Sequence, residues 1–191
     1  ARSCGIDCHW LSAAELSERW PHLETGEVQG GVYMPRDGQT NPVDTTLALA
    51  AAARKAGVSV REKTPVRRLE VEDGRIIGVE TESGSRRGNK VLLAAGLWTR
   101  QLALAAGADV PLYPCEHYYA VTEAVDLPVD TTIIRVPDQG VYLKPDAGRL
   151  LIGSFEREAR PVDPDSLPED FSFGEFPFDL EHFAPYLASG L

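Results

Sequence analysis

TPVRRLEVEDGRIIGVETESGSRRGNKVLLAAGLWTRQLALAAG, residues 64–107, contains two kinds of strand in one stretch. Residues 65–72 and 75–83 flank Asp73-Gly74. That dipeptide tolerates the left-handed backbone of a two-residue turn, so the runs predict an antiparallel hairpin. Ser83-Gly84 predicts a further turn. Residues 90–96, KVLLAAG, follow another pattern. Their continuous apolar run predicts a strand buried on both faces, as in a parallel sheet. Residues 97–106 read as a helix that stops at Gly107. Hairpin, buried strand and helix together indicate the α+β class.

The same pattern continues on the N-terminal side. Ser12-Ala13-Ala14-Glu15 is a capping box, which starts a short helix ending before Pro21. Residues 30–34 read as a strand, and Asp37-Gly38 marks a turn. Asn41 can cap a helix, Pro42 suits its first position, and Asp44 complements its dipole. The helix predicted there is rich in alanine and ends at Gly57. So many small residues predict close packing against a sheet, although helix propensity alone also favours Ala. Residues 58–62 read as a short strand.

On the C-terminal side, residues 113–124 predict one long alternating strand. Cys115, His117, Tyr119 and Val121 would then share a face. Residues 131–136 predict another strand. Residues 140–144 and 149–155 predict a hairpin around Asp146-Ala147-Gly148, and residues 178–187 a last helix.

Nineteen basic residues against 29 acidic ones give a net charge of −10. That argues against binding a nucleic-acid backbone, which needs a basic face. No apolar run approaches the ~18 residues that cross a bilayer, so no membrane partner is expected. Three cysteines make no disulfide framework, which favours a reducing, cytoplasmic setting. Cys4, Cys8 and His9 lack a second ligand pair at zinc spacing, so no metal site is expected. The chain opens on Ala1 without an apolar leader, and its only methionine is Met34. It is therefore expected to begin after a cut.

Five segments, in order, carry a resemblance. They are residues 34–42 (MPRDGQTNP), Thr64-Pro65-Val66, residues 91–99 (VLLAAGLWT), residues 114–119 (PCEHYY), and Val141-Tyr142-Leu143-Lys144 with residues 151–156 (LIGSFE). The chain resembles the D-amino-acid-oxidase-like flavoproteins. Its nearest likeness is to the branch of sarcosine dehydrogenase, dimethylglycine dehydrogenase and dimethylglycine oxidase. Departures are Thr99, where Ser is usual, and Lys144, where Arg is frequent. The largest is an absence, because no G-x-G-x-x-G occurs in the 191 residues.

The resemblance implies an antiparallel or mixed substrate-domain sheet with flanking helices, plus part of an FAD-binding α/β domain. Residues 1–57 and 108–191 would belong to the substrate-binding portion, and residues 58–107 to a partial FAD-binding domain. The parent protein would use FAD to oxidise a small secondary or tertiary amine of the N-methylglycine type, passing hydride to flavin. Its missing N- and C-terminal segments would be this chain's partners, and a eukaryotic member would sit in the mitochondrial matrix. This chain alone would not hold FAD tightly, because the helix N-terminus that binds pyrophosphate is lacking.

His117 and Tyr142 are the candidate catalytic residues. Imidazole titrates near neutral pH and can take the amine's proton. The competing reading is an ordinary histidine satisfied within a sheet. Tyr142 is a phenol that would hydrogen-bond the amine or carboxylate, or else a plain strand aromatic. Tyr119 and Lys144 are candidate substrate-binding residues. Lys144 would pair with a carboxylate or stay a solvated edge lysine. Val66, Ala95, Gly96 and Trp98 are the candidate cofactor-binding residues. Gly96 would let a dinucleotide approach the backbone, or simply turn strand into helix. Trp98 would cap the flavin or fill core. Two further readings stand: a non-catalytic regulatory or interaction module of the same family, and an oxidase of another amine such as a D-amino acid or proline.

Overall fold

The computed structural model describes residues 2–128 and 130–190. In chain order the elements are β1 (His9–Ser12), α1 (Ala13–Arg19), β2 (Gly30–Tyr33), α2 (Pro42–Lys55), β3 (Val66–Glu72), β4 (Arg75–Thr81) and β5 (Gly84–Arg87). There follow α3 (Thr99–Ala105), β6 (Tyr119–Val121), β7 (Ile134–Val136), β8 (Val141–Asp146), β9 (Arg149–Ser154) and α4 (Leu180–Gly190). The strands form three sheets, ordered β1-β2, β3-β4-β5 and β6-β9-β8-β7. Every pairing is antiparallel. The fold is therefore a mixture of helices and antiparallel sheet. The chain divides into two compact units, residues 1–45, 119–154 and 185–191 in one and residues 46–118 and 155–184 in the other.

Local chemistry explains the first elements of the chain. The Ser12 hydroxyl accepts from the Glu15 amide at 3.3 Å, and Glu15 accepts from the Ser12 amide at 2.7 Å. This reciprocal cap starts α1. Leu16 of α1 lies against β2, so close that a β-carbon on Gly31 would stand 3.3 Å from it. Asn41 accepts from the amides of Val43 and Asp44 at 2.9 and 3.1 Å, which starts α2. Gly57, at φ +86°, follows its end.

The four-stranded sheet of the first unit has two distinct faces. The β8–β9 hairpin turns through Ala147 and Gly148, at φ 50° and 77°. Val141, Leu143, Ile152 and Ser154 point to one face by strand alternation. Val141, Ile152 and Ser154 are buried there, and a β-carbon on Gly190 would meet Ile152 at 2.6 Å. The last turn of α4 thus closes that face. The opposite face carries Tyr119, Gly153, Tyr142 and Lys144.

In the second unit, Asp73 and Gly74 have φ of 47° and 73°, the two-residue turn expected between β3 and β4. The sheet extends beyond expectation, because β5 folds back on β4 after Ser83. Beyond it, Tyr118, Phe178 and Phe183 form an aromatic cluster with centroid distances of 5.6–6.3 Å. Asp179 accepts from the His182 amide at 2.9 Å and pairs with Arg160 at 2.6 Å, which anchors the start of α4.

Four expectations are corrected. α2 forms as predicted but buries no residue, and Leu47 and Leu49 are 61% and 67% exposed. Alanine propensity and caps, not sheet packing, hold it here. Residues 58–62 form no strand, because no ladder partner lies beside them among the described residues. The same holds for residues 90–95, where Leu92 is 93% exposed. A doubly buried strand needs neighbours on both sides. Finally, residues 113–124 are not one strand. Residues 114–116 pair with residues 160–162, whereas β6 pairs with β9. Cys115 and His117 therefore share no continuous strand face with Tyr119 and Val121.

Candidate functional site

The open face of the first unit's large sheet brings together three of the residues singled out from sequence. Tyr119 pairs with Gly153, and Gly153 pairs with Tyr142 on its other side. Paired residues point to the same face, so the two tyrosines flank a glycine in one row. A β-carbon on Gly153 would stand 2.2–2.4 Å from ring and hydroxyl atoms of Tyr142. The phenol therefore lies across Gly153. Lys144, two residues along β8, is on the same face and half-buried. Arg135 of β7 pairs with Tyr142 and extends the row to four strands. Tyr119 is 45% exposed.

His117 belongs to the second unit, just after the bridge between Cys115 and Pro161. Its Nδ1 lies 3.7 Å from a carboxylate oxygen of Glu156, whose side chain is only 2% exposed. The other Glu156 oxygen accepts from the Tyr118 amide at 3.2 Å. Phe155 lies against the imidazole, with centroids 5.3 Å apart. The histidine thus stands beside a buried carboxylate that a backbone amide holds. The neighbouring Tyr118 points elsewhere, and its phenol donates to Glu116. That hydrogen bond raises Tyr118 above the ordinary phenol range, so its proton is committed.

The candidate cofactor residues also lie in the second unit. Val66 opens β3 and is 39% exposed. Ala95 precedes a short 3-10 turn, Gly96–Trp98. Its amide donates to the Thr99 hydroxyl at 3.1 Å. Gly96 has φ +56°, and nothing stands within 4 Å of the place a β-carbon would take. Trp98 is 40% exposed. An uncovered glycine backbone two residues from the part-exposed Trp98 fits a flat, partly apolar ring system such as a flavin nucleotide. A pyrophosphate-gripping glycine turn is absent from the 191 residues.

Sequence reasoning missed Glu156, Gly153 and Arg135. Glu156 and Gly153 both lie in the recognised LIGSFE segment, but nothing in a single sequence says that a strand-end carboxylate is buried. Gly153 has one usable signal, being a glycine inside an otherwise apolar strand.

Comparison with known proteins bears on the family. Residues 1–187 match a family model described as FAD dependent oxidoreductase. The chain is 37% identical to 4-methylaminobutanoate oxidase (formaldehyde-forming) of Paenarthrobacter nicotinovorans, over 96% of this chain and 22% of that protein. It is 32% identical to human mitochondrial sarcosine dehydrogenase, over 100% and 21%. It is also 30% identical to a mouse protein, the mitochondrial pyruvate dehydrogenase phosphatase regulatory subunit, over 97% and 21%. The chain thus spans about a fifth of the length of these relatives. Among solved structures, L-proline dehydrogenase from P. horikoshii has the same fold, with TM-score 0.79 at 22% identity, over 98% of this chain and 49% of that one. Matched by one model along nearly its whole length, the chain belongs to the FAD-dependent oxidoreductase family, on the branch of sarcosine dehydrogenase and its relatives.

Proposed function

We propose that this chain is part of a longer enzyme that oxidises an N-methylated amino acid, and that it supplies the groups that hold the amine and take its proton. The observation that carries this is His117 standing 3.7 Å from the buried carboxylate of Glu156. With Nδ1 turned to Glu156, Nε2 is the atom that accepts the proton of the bound ammonium. Only the neutral amine has the nitrogen lone pair that assists loss of hydride from the adjacent carbon. FAD, when bound, supplies the acceptor of that hydride. The Tyr142 hydroxyl orients the amine or its carboxylate, and Tyr119 and Lys144 border the same face. Val66, Ala95, Gly96 and Trp98 would hold the cofactor, within a partial FAD-binding α/β domain of residues 58–107. Residues 1–57 and 108–191 would make the substrate-binding portion.

Segments of the parent on either side of this chain complete the cofactor site in this reading. The isolated chain is then inactive and binds FAD weakly, and a sub-micromolar dissociation constant would contradict that. Among the described residues no helix is long and apolar enough to cross a membrane. The parent is placed in the cytoplasm, or in the mitochondrial matrix of a eukaryote.

The test uses the full-length protein. Under anaerobic mixing with N-methylglycine, N,N-dimethylglycine or 4-methylaminobutanoate, oxidised flavin absorbance should bleach. His117→Asn should slow bleaching by roughly 10²–10⁴-fold, the usual scale for loss of a general base. A colourless protein that refuses added FAD sinks the proposal. Bleaching by D-amino acids or proline alone would move the substrate to another amine.

The regulatory subunit among the relatives supports a second reading, a non-catalytic interaction module. Unchanged turnover of every amine after His117→Phe and Tyr142→Phe would favour it.

A further inference from the structure

Residues 168–178, PEDFSFGEFPF, mix aromatic and acidic side chains in the loop between β9 and α4, within the second unit. The loop is built on a ring stack. The Phe171 amide donates to the Pro168 carbonyl at 3.0 Å, and the Phe171 ring stacks on Phe176 with centroids 5.9 Å apart. A β-carbon on Gly174 would stand 2.4 Å from the Phe171 ring, so that ring lies across the glycine. Between these anchors Phe173 is 98% exposed at φ +52°. Such a left-handed backbone is strained for a bulky residue, and a loop that merely turned would place Gly or Asn there. An exposed ring on a strained backbone serves neither the turn nor the core. Glu169, Asp170 and Glu175 flank it in sequence and are exposed, so the tip is aromatic within an anionic rim.

The same unit carries the complement on β5, an edge strand with all four residues exposed. Arg86 stands in one row with half-buried Val79 and Leu69, so a cation borders an apolar floor. Arg67 and Arg68 of β3 pair with Glu82 and Glu80, whereas among the described residues no such pair involves Arg86, Arg87 or Lys90. In its own chain the loop is tied to the opposite edge of the sheet, because Glu169 lies 4.0 Å from Arg67 of β3. We propose that the loop of one copy docks on the β5 edge of a second copy. The Phe173 ring lies against the Arg86 guanidinium, and the loop carboxylates face Arg87 and Lys90. A guanidinium over an aromatic face is attractive, more so once desolvated, and an unpaired strand edge is open to another chain. With the loop at one edge and its receptor at the other, each copy gives one contact and receives one. The proposal does not depend on the reaction proposed above.

The experiment is sedimentation of the full-length protein over micromolar concentrations. The wild type should self-associate at low salt and dissociate as added salt screens the charges. Phe173→Ser and Arg86→Glu should each raise the dissociation constant by roughly 30-fold or more, the scale for loss of a central interface anchor. Phe173→Gly, which relaxes the backbone, serves if the Ser variant does not fold. An equimolar mixture of the two variants should form pairs again, because one keeps the receiving edge and the other keeps the loop. A change that merely disturbed folding would give no such recovery. A wild type that stays monomeric overturns the proposal, and Phe173→Trp emission shielded from acrylamide in that monomer would assign the loop to another segment of the parent. Association unchanged in both variants, or a mixture that stays monomeric, overturns it as well.

Discussion

The phenol of Tyr142 occupies the space that a side chain at Gly153 would need, with Cζ and the hydroxyl oxygen 2.2 and 2.3 Å from the place of a β-carbon. Gly153 does not have a left-handed φ. Its lack of a side chain therefore serves space and not backbone freedom. One strand supplies the phenol, and its neighbour supplies the gap in which the ring lies.

Gly153→Ala should accordingly displace Tyr142 or split β8 from β9. Overpacking of this kind costs about 1–3 kcal/mol. Urea denaturation of the chain should show that loss, and the double variant with Tyr142→Ala should recover part of it. A coupling energy near zero in the double-mutant cycle would show that the ring lies elsewhere.

A second close approach fixes β5. A β-carbon on Gly78 would stand 2.3 Å from the backbone oxygen of Arg86, which cannot rotate away. Gly78→Ala should detach β5 from β4 while leaving the β3–β4 hairpin formed. The Gly88 amide, which donates to the Ile77 carbonyl at 3.0 Å, reports on this directly. Its hydrogen exchange should rise at least about tenfold, with exchange in β3 little changed.

Asp179 predicts an acid dependence. Its carboxyl is held below the ordinary value of 3.8, first by the His182 amide and then by Arg160. A group lowered in the folded state contributes stability above its unfolded value, and that contribution is lost as pH falls through the folded value. Wild type should therefore exceed Asp179→Asn in urea midpoint near neutral pH, and the two should converge below pH 3.8. A gap that stays constant down to the acid limit would assign the effect to packing instead.

Local signals in the sequence were reliable wherever the chain supplies its own partner. The Ser12–Glu15 box, the Asn41 cap, the Asp73-Gly74 turn and the β8–β9 hairpin all form within a few residues of their signals. The failures concern partners distant in sequence. Alternation in residues 113–124 could not show that the stretch changes partner between residues 116 and 119. Tyr142 and Lys144 were legible as strand residues of one face. Arg135 was not, because only the register of β7 against β8 puts it beside Tyr142. Burial of Glu156, likewise, depends on residues folded over it from elsewhere.

The half-exposed apolar run at residues 91–95 supports the last prediction. Leu92 is 93% exposed, although its pattern is that of a doubly buried strand. In the proposed parent, strands from other segments would pair on both sides of this run and bury Leu92. Leu92→Ala should then change the stability of the isolated chain by no more than about 0.5 kcal/mol, as at any exposed position. The same substitution in the full-length protein should cost about 2–5 kcal/mol, the range for a leucine lost from a core. Parallel urea titrations of the two proteins measure the contrast. Equal effects would mean that residues 91–95 stay uncovered in the parent, and the partial cofactor domain assigned to residues 58–107 would lose its central strand.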